Sequence, residues 1–196
     1  MSALTIILIR HAEKPAAKPG DPDRGPGLTS FGETDKHSLV VRGWQRAGAW
    51  AALFGCGLTP GGDYPTPDIV YAANPDEPPT DGGDASRRPD ETVTPLCGRL
   101  GLSPRTSYAV GEEGKMVAEV CALAGVVLVC WEHKHIVDPI LTLIAGKQKI
   151  PQLPTRWNGD RFDLALRFDR SGPDAPWSFR QLFPRLLAGD TDVPLT

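Results

Sequence analysis

Two short apolar runs in this sequence each end on a histidine. Leu4-Thr5-Ile6-Ile7-Leu8-Ile9 leads into Arg10-His11-Ala12-Glu13, and Gly125-Val126-Val127-Leu128-Val129-Cys130-Trp131 leads into Glu132-His133. Between them, a Pro/Gly/Asp-rich stretch carries Arg87-Arg88. Two histidines and at least two arginines form a set suited to phosphate. Guanidinium groups match its oxygens with a planar fork and stay charged at any relevant pH. A neutral imidazole is a nucleophile toward phosphorus and forms a phosphohistidine that water later cleaves. Positive charge beside His11 lowers its pKa and keeps the ring unprotonated. Phosphoryl transfer asks mainly for positioning and charge stabilisation, so arginines can serve where no metal is bound.

These residues must be brought to one place, and the elements around them suggest how. The first run is rich in β-branched residues, as in a strand buried on both faces, and 125–131 reads the same way. Pro67 to Ala72 reads as another strand, and Thr106 to Val110 as a weak one. Helical spacing runs from Leu39 to Phe54, with Trp44, Ala47, Trp50, Ala51 and Phe54 on one side and Gly55 and Gly57 closing it. Asp90 reads as the N-cap of a helix to about Leu100, with Glu91 in its first turn. Further helices are expected over Glu113–Leu123 and Ile136–Ile144, the latter with Pro139 in its first turns. Arg161 to Phe168 alternates like an exposed edge strand, with Trp177 to Arg180 as its partner. Residues 15–38 and 74–90 are long Pro/Gly-rich loops, and long loops are often functional. Alternating strands and helices predict a three-layer α/β/α sandwich with a mostly parallel central sheet, whose ligands bind beyond the carboxyl ends of the strands.

Composition bounds the rest. The chain has 196 residues, enough for one well-buried core, and no linker divides it, so residues 1–196 read as a single domain. A net charge of −3 without a basic tract argues against nucleic acid or an anionic membrane as the main partner. The N-terminus reads as a strand and not a signal peptide, and no apolar stretch reaches membrane-spanning length. Cys56, Cys97, Cys121 and Cys130 form no CxxC pair and read as reduced cysteines of a cytoplasmic protein.

Arg10-His11-Ala12-Glu13 resembles the Arg-His-Gly signature of the histidine phosphatase superfamily, which includes the phosphoglycerate mutases. Three further stretches agree in order. Leu39-Val40-Val41-Arg42-Gly43-Trp44-Gln45-Arg46-Ala47 is similar to the family's helix opening; Arg88-Pro89-Asp90-Glu91-Thr92 is similar to its second phosphate-binding Arg followed four residues later by Thr; and residues 127–133 resemble the strand ending in its second histidine. The matches span residues 4 to about 145. The resemblance implies a phosphoglycerate mutase-like fold, His11 as nucleophile, and Arg10, Arg88 and His133 as the rest of the phosphate pocket. It also implies a carboxylate, Glu112 or Glu113 with a lean to Glu113, that protonates the leaving oxygen. Ala12 stands where Gly is usual, which requires that its φ not be positive. Lys134 follows His133 where Gly is common, giving a more basic rim.

Each assignment has a plainer rival. A lone Arg-His at a strand end is more often structural than catalytic, and it is the agreement of four motifs that reverses this. A metal bound by His133 and His135 is the alternative for that segment, but no Asp, Glu or Cys stands at ligand spacing. Only one of Arg87 and Arg88 need reach a phosphate. Glu13 and Lys14 could touch substrate but read as solvated loop charges, His37 reads as exposed, Glu132 as structural, and Trp44, Trp50 and Phe54 as core. The expected function is a metal-independent phosphomonoester hydrolase without cofactor, acting on a small-molecule phosphate ester or a phosphoprotein and releasing inorganic phosphate. A mutase-type phosphotransferase and a non-catalytic phospho-ligand binding module are the alternatives.

Overall fold

The computed structural model describes residues 2–15, 25–56 and 62–196. Its frame is one five-stranded mixed sheet, ordered β2-β3-β1-β4-β5, from β1 (Leu4–Arg10), β2 (Ile69–Ala72), β3 (Gly125–Trp131), β4 (Ala165–Arg170) and β5 (Ser178–Leu182). β2, β3 and β1 pair in parallel, with Arg10 level with Trp131, whereas β4 is antiparallel to β1 and β5 antiparallel to β4. The sheet is therefore mixed, with β4 alone running against the other four strands. Successive residues of a strand point to opposite faces. Leu4, Ile6 and Leu8 accordingly join Val127, Val129 and Trp131 in one apolar cluster, and Ile7 and Ile9 join Leu128 and Cys130 in another. Both faces are covered, which is why these strands carry unbroken apolar runs.

Helices α1 (Val41–Phe54) and α2 (Arg88–Leu100) contribute Trp50, Phe54, Val93 and Leu96 to the second cluster. Helix α3 (Glu113–Cys121), a π-helical turn (Ile136–Ile140) and α5 (Leu141–Ala145) contribute Met116, Val120, Ile140 and Ile144 to the first. Between β3 and the π turn lies the single turn α4 (His133–His135). The helix expected over 136–144 is broken at Asp138, whose φ of −143° and ψ of 114° are extended, because the residue before a proline is kept out of the α region.

Four other expectations need correction. Asp90 is not the cap of α2. The helix begins at Arg88, with Pro89 in the first turn, where its missing N–H costs nothing, and Asp90 and Glu91 follow beside the positive end of the dipole. Strand β4 is interior, not an edge. Its alternating charge misleads because Arg167 is buried and satisfied by Asp169 and the carbonyls of Gly62 and Asp63, so no solvent is needed. Residues 106–110 form no strand; the segment touches β2 through one bridge from Arg105 to Tyr71 and through Asn74 N to Tyr108 O at 2.8 Å. Helix α3 stops at Cys121, short of Leu123. Gly55 closes α1, its amide donating to Ala51 O at 3.0 Å; Gly57 and residues 16–24 of the first long loop lie outside the described residues. Among the described residues, no helix is long and apolar enough to cross a membrane.

Candidate active site

The carboxyl ends of β1, β2 and β3 open onto a pocket of about 280 Å³ whose walls include His11, Lys14, Ala73, Arg88, Glu132 and His135. His11 follows β1, and its amide donates to Trp131 O at 3.1 Å, so the tips of β1 and β3 are locked level. The residue is 4% exposed, and its Nδ1 lies 2.8 Å from Ala12 O. A carbonyl only accepts, so Nδ1 carries the proton and Nε2 keeps its lone pair. Burial first, then the charge of Arg10, with Arg88 and Lys14 adding to it, lowers the His11 pKa well below the ordinary 6.5. The ring is neutral at physiological pH.

The residues after His11 are held from two sides. Ala12 N donates to Thr92 Oγ1 at 2.8 Å, and that hydroxyl donates to Arg88 O at 2.6 Å, one turn earlier on α2. The Arg-x-x-x-Thr spacing thus pins the start of α2 to the loop that carries His11. Ala12 is fully buried against Leu39 and Ala47, and its φ is not positive, which meets the condition set by the missing glycine. From the other side, α1 starts so close that a Cβ on Gly43 would stand 2.5 Å from Glu13 O. Glu13 is not solvated as expected; it is buried and binds Arg46 through Nε and Nη2, and Arg46 in turn binds Asp190. This network lines a separate pocket of about 620 Å³ together with Arg42 and Phe162, and that pocket holds no histidine.

The arginines differ in placement. Arg88 lines the pocket; its Nη2 donates to Lys36 O at 2.7 Å, and its buried Nε has no acceptor among the described residues. Arg87 is exposed and lies 3.8 Å from Asp35. Arg10 is fully buried behind His11, with its guanidinium 3.9 Å from the Phe162 ring and Nη1 donating to the carbonyls of Gly159 at 2.7 Å and Arg161 at 2.9 Å. Arg10 therefore acts on His11 through charge rather than from the pocket wall. Lys14, read as solvated, is a wall residue, and burial, then Arg10 and Arg88, lower its ammonium pKa. Nothing in its type marked it; its place three residues after His11 was the available signal.

On the β3 side, Glu132 caps α4, accepting from Lys134 N at 2.8 Å and His135 N at 3.2 Å. Burial alone would raise its carboxyl, but the His133 ring, 2.7 Å away at Nδ1, and these amides hold it at about 2. His133 is buried and stands back from the pocket wall; the wall residue is His135. Residues two apart on a helix point away from each other. That separates the two rings, so His133 and His135 do not converge as a pair of metal ligands. Among the described residues, no group of three or more His, Cys, Asp or Glu could hold an ion. Glu113, expected to face substrate, is 3% exposed and off the wall; its Oε1 accepts from Gly111 N and Trp131 Nε1 at 2.9 and 2.8 Å and lies 3.0 Å from His135 Nδ1. Glu112 turns to Ala109 N and Lys115. His37 is half-buried, 3.5 Å from Asp84, instead of exposed.

No protein-family model matches the chain, and no curated protein matches it.

Proposed function

We propose that this chain is a phosphomonoester hydrolase of the histidine phosphatase type, in a three-layer, phosphoglycerate mutase-like fold, that works through a phosphohistidine on His11. The observation that carries the reading is the state of that ring: neutral by burial and by Arg10, its proton held at Nδ1 by Ala12 O, and the residue lining a pocket shared with Arg88 and Lys14. In the reaction, Nε2 attacks phosphorus and the ester P–O bond breaks, its electrons leaving with the oxygen, which takes up a proton. Arg88 and Lys14 hold the equatorial oxygens, and the unpaired Nε of Arg88 is a donor available to one of them. Water then attacks the phosphohistidine, the P–N bond electrons return to Nε2, and inorganic phosphate departs. Arg10 and His133 flank this centre, Arg10 through its field at His11 and His133 beside Glu132.

The charge set is complete in side chains, so the reading requires neither metal nor cofactor. The substrate is a small phosphate ester or a phosphoprotein. Four free cysteines fit a reducing compartment such as the cytoplasm. A panel of phosphomonoesters, sugar phosphates, nucleotides and phosphoproteins, with 2- and 3-phosphoglycerate included, tests the class. Turnover should persist in EDTA, and acid quench with labelled substrate should trap an acid-labile, base-stable phosphoenzyme on His11. Interconversion of the two phosphoglycerates without phosphate release would make the protein a mutase, and no turnover on any substrate would leave a binding module.

A further inference from the structure

The reaction above needs a proton for the departing oxygen, and the carboxylates near the pocket are poor donors. Glu113 is buried, with one oxygen already accepting two hydrogen bonds and standing 3.0 Å from His135 Nδ1. Glu132 is held ionised, its oxygens on His133 and on the amides of α4. Asp84 is bound to Lys36 at 3.0 Å and to His37. Glu77 and Asp81 sit on an exposed loop. His135 differs from all of these. It is seated at the end of α4, its backbone N–H held by Glu132, its Nδ1 3.0 Å from Glu113 Oε1, and its ring on the wall that also carries His11.

Resting on the phosphohistidine reading, we propose that His135 is the catalytic proton donor to the leaving oxygen and that Glu113 is its positioning residue. Glu113 Oε1 stands 3.0 Å from Nδ1, which holds that edge of the ring and leaves Nε2 on the opposite side, 4.0 Å from Asp81, a residue of the pocket wall. The doubly protonated ring gives its Nε2 proton to the oxygen as the P–O bond breaks, and is left neutral with Nδ1–H still bound to Glu113. In the second half-reaction the free Nε2 takes a proton from the attacking water as the P–N bond breaks, which restores the imidazolium. Protons and charge return to their starting places over the cycle. The arrangement reassigns the carboxylate that the family resemblance implies: Glu113 stays essential, but one residue removed from the substrate.

General acid catalysis contributes typically about 10²- to 10⁴-fold, and it matters most for a leaving group that departs poorly on its own. The test compares an alkyl phosphate with p-nitrophenyl phosphate, whose phenolate leaves without help. His135→Asn should lose at least about 10²-fold in kcat on the alkyl ester and less than about 10-fold on the aryl ester. Glu113→Gln should shift the alkyl/aryl ratio the same way by a smaller factor. Added imidazole should restore alkyl turnover to His135→Ala, a readout that a merely structural role would not move. If His135→Asn and His135→Ala, folded by circular dichroism, lose both substrates equally and imidazole restores nothing, His135 is not the acid. If the wild-type protein turns over neither ester nor any other phosphate, the phosphatase reading itself fails, which is a separate result.

Discussion

The two walls of the pocket are built differently. On the His11 wall each successive backbone group is fixed: His11 N to Trp131 O, Ala12 N to Thr92, and Glu13 O to Val40 N, with the Glu13 side chain bound to Arg46. The facing wall, residues 77–86, is turns and bends. Gly82 and Gly83 there take φ of 101° and 115°, and the anchors are Thr80 N to Val110 O at 2.9 Å and an exposed pair between Lys36 and Asp84. A reacting atom must be held to a fraction of an ångström, whereas a wall that only admits a substrate need not be. On the proposed reading, the difference gives chemistry to the first wall and selectivity to the second.

Four measurements break or sharpen this contrast. His11→Ala should lose on the order of 10⁴-fold or more in kcat while its circular dichroism stays unchanged, since the nucleophile goes but no large apolar volume does. Retention of more than a few per cent of activity would place the chemistry elsewhere. Arg88→Ala should cost on the order of 10²- to 10³-fold, and competitive inhibition by phosphate or vanadate should weaken in parallel. Arg87→Ala, removing an exposed side chain, should change neither by more than about 2-fold. Equal effects would erase the distinction between the paired arginines. Thr92→Val keeps the shape but strands the buried amide of Ala12, so urea unfolding should report a loss of about 1–3 kcal/mol.

The smallest effect is in pH. The folded His11 pKa lies well below 6.5, so an NMR titration should find this ring neutral as the pH falls through 6.5. An unfolded chain takes that proton near 6.5 and the folded one does not, so stability declines below 6.5, and His11→Ala should decline less. Glu132 works in the same direction lower down. Its carboxyl titrates at about 2 in the folded chain against 4.5 ordinarily, so its contribution is complete above pH 4.5 and is lost between 4.5 and 2. Acid unfolding curves of Glu132→Gln and wild type should converge across that interval.

How much of this was legible in the sequence follows the same division. The tips of β1 and β3 could be read because strands buried on both faces leave unbroken apolar runs, and the Arg88–Thr92 spacing could be read because it is one helical turn with a geometric purpose. The start of α2 was missed because Asp90 has the chemistry of a cap, while the helix opens two residues earlier, where Pro89 fits the first turn. Strand β4 was misplaced because pairing between Arg167 and Asp169 leaves no trace in a pattern of polar and apolar letters. Glu113 was sought at the wall for the same reason: a sequence gives the carboxylate but not the histidine that covers it. Lys14 and His135 are ordinary residues brought to the pocket wall by where the neighbouring chain turns.

The approach of α1 to Glu13 is a contact between main chains, with no side chain to trim or adjust. It would leave an unusual mark in a saturation library selected only for folded protein. At Gly43 nearly every codon but glycine would be depleted, even though the position is neither a reactant nor a turn. Two residues earlier, the exposed Val41 would accept most replacements. Tolerance would thus change from broad to almost none within half a turn of one helix, and the narrow position would map the fixed wall without any assay of turnover.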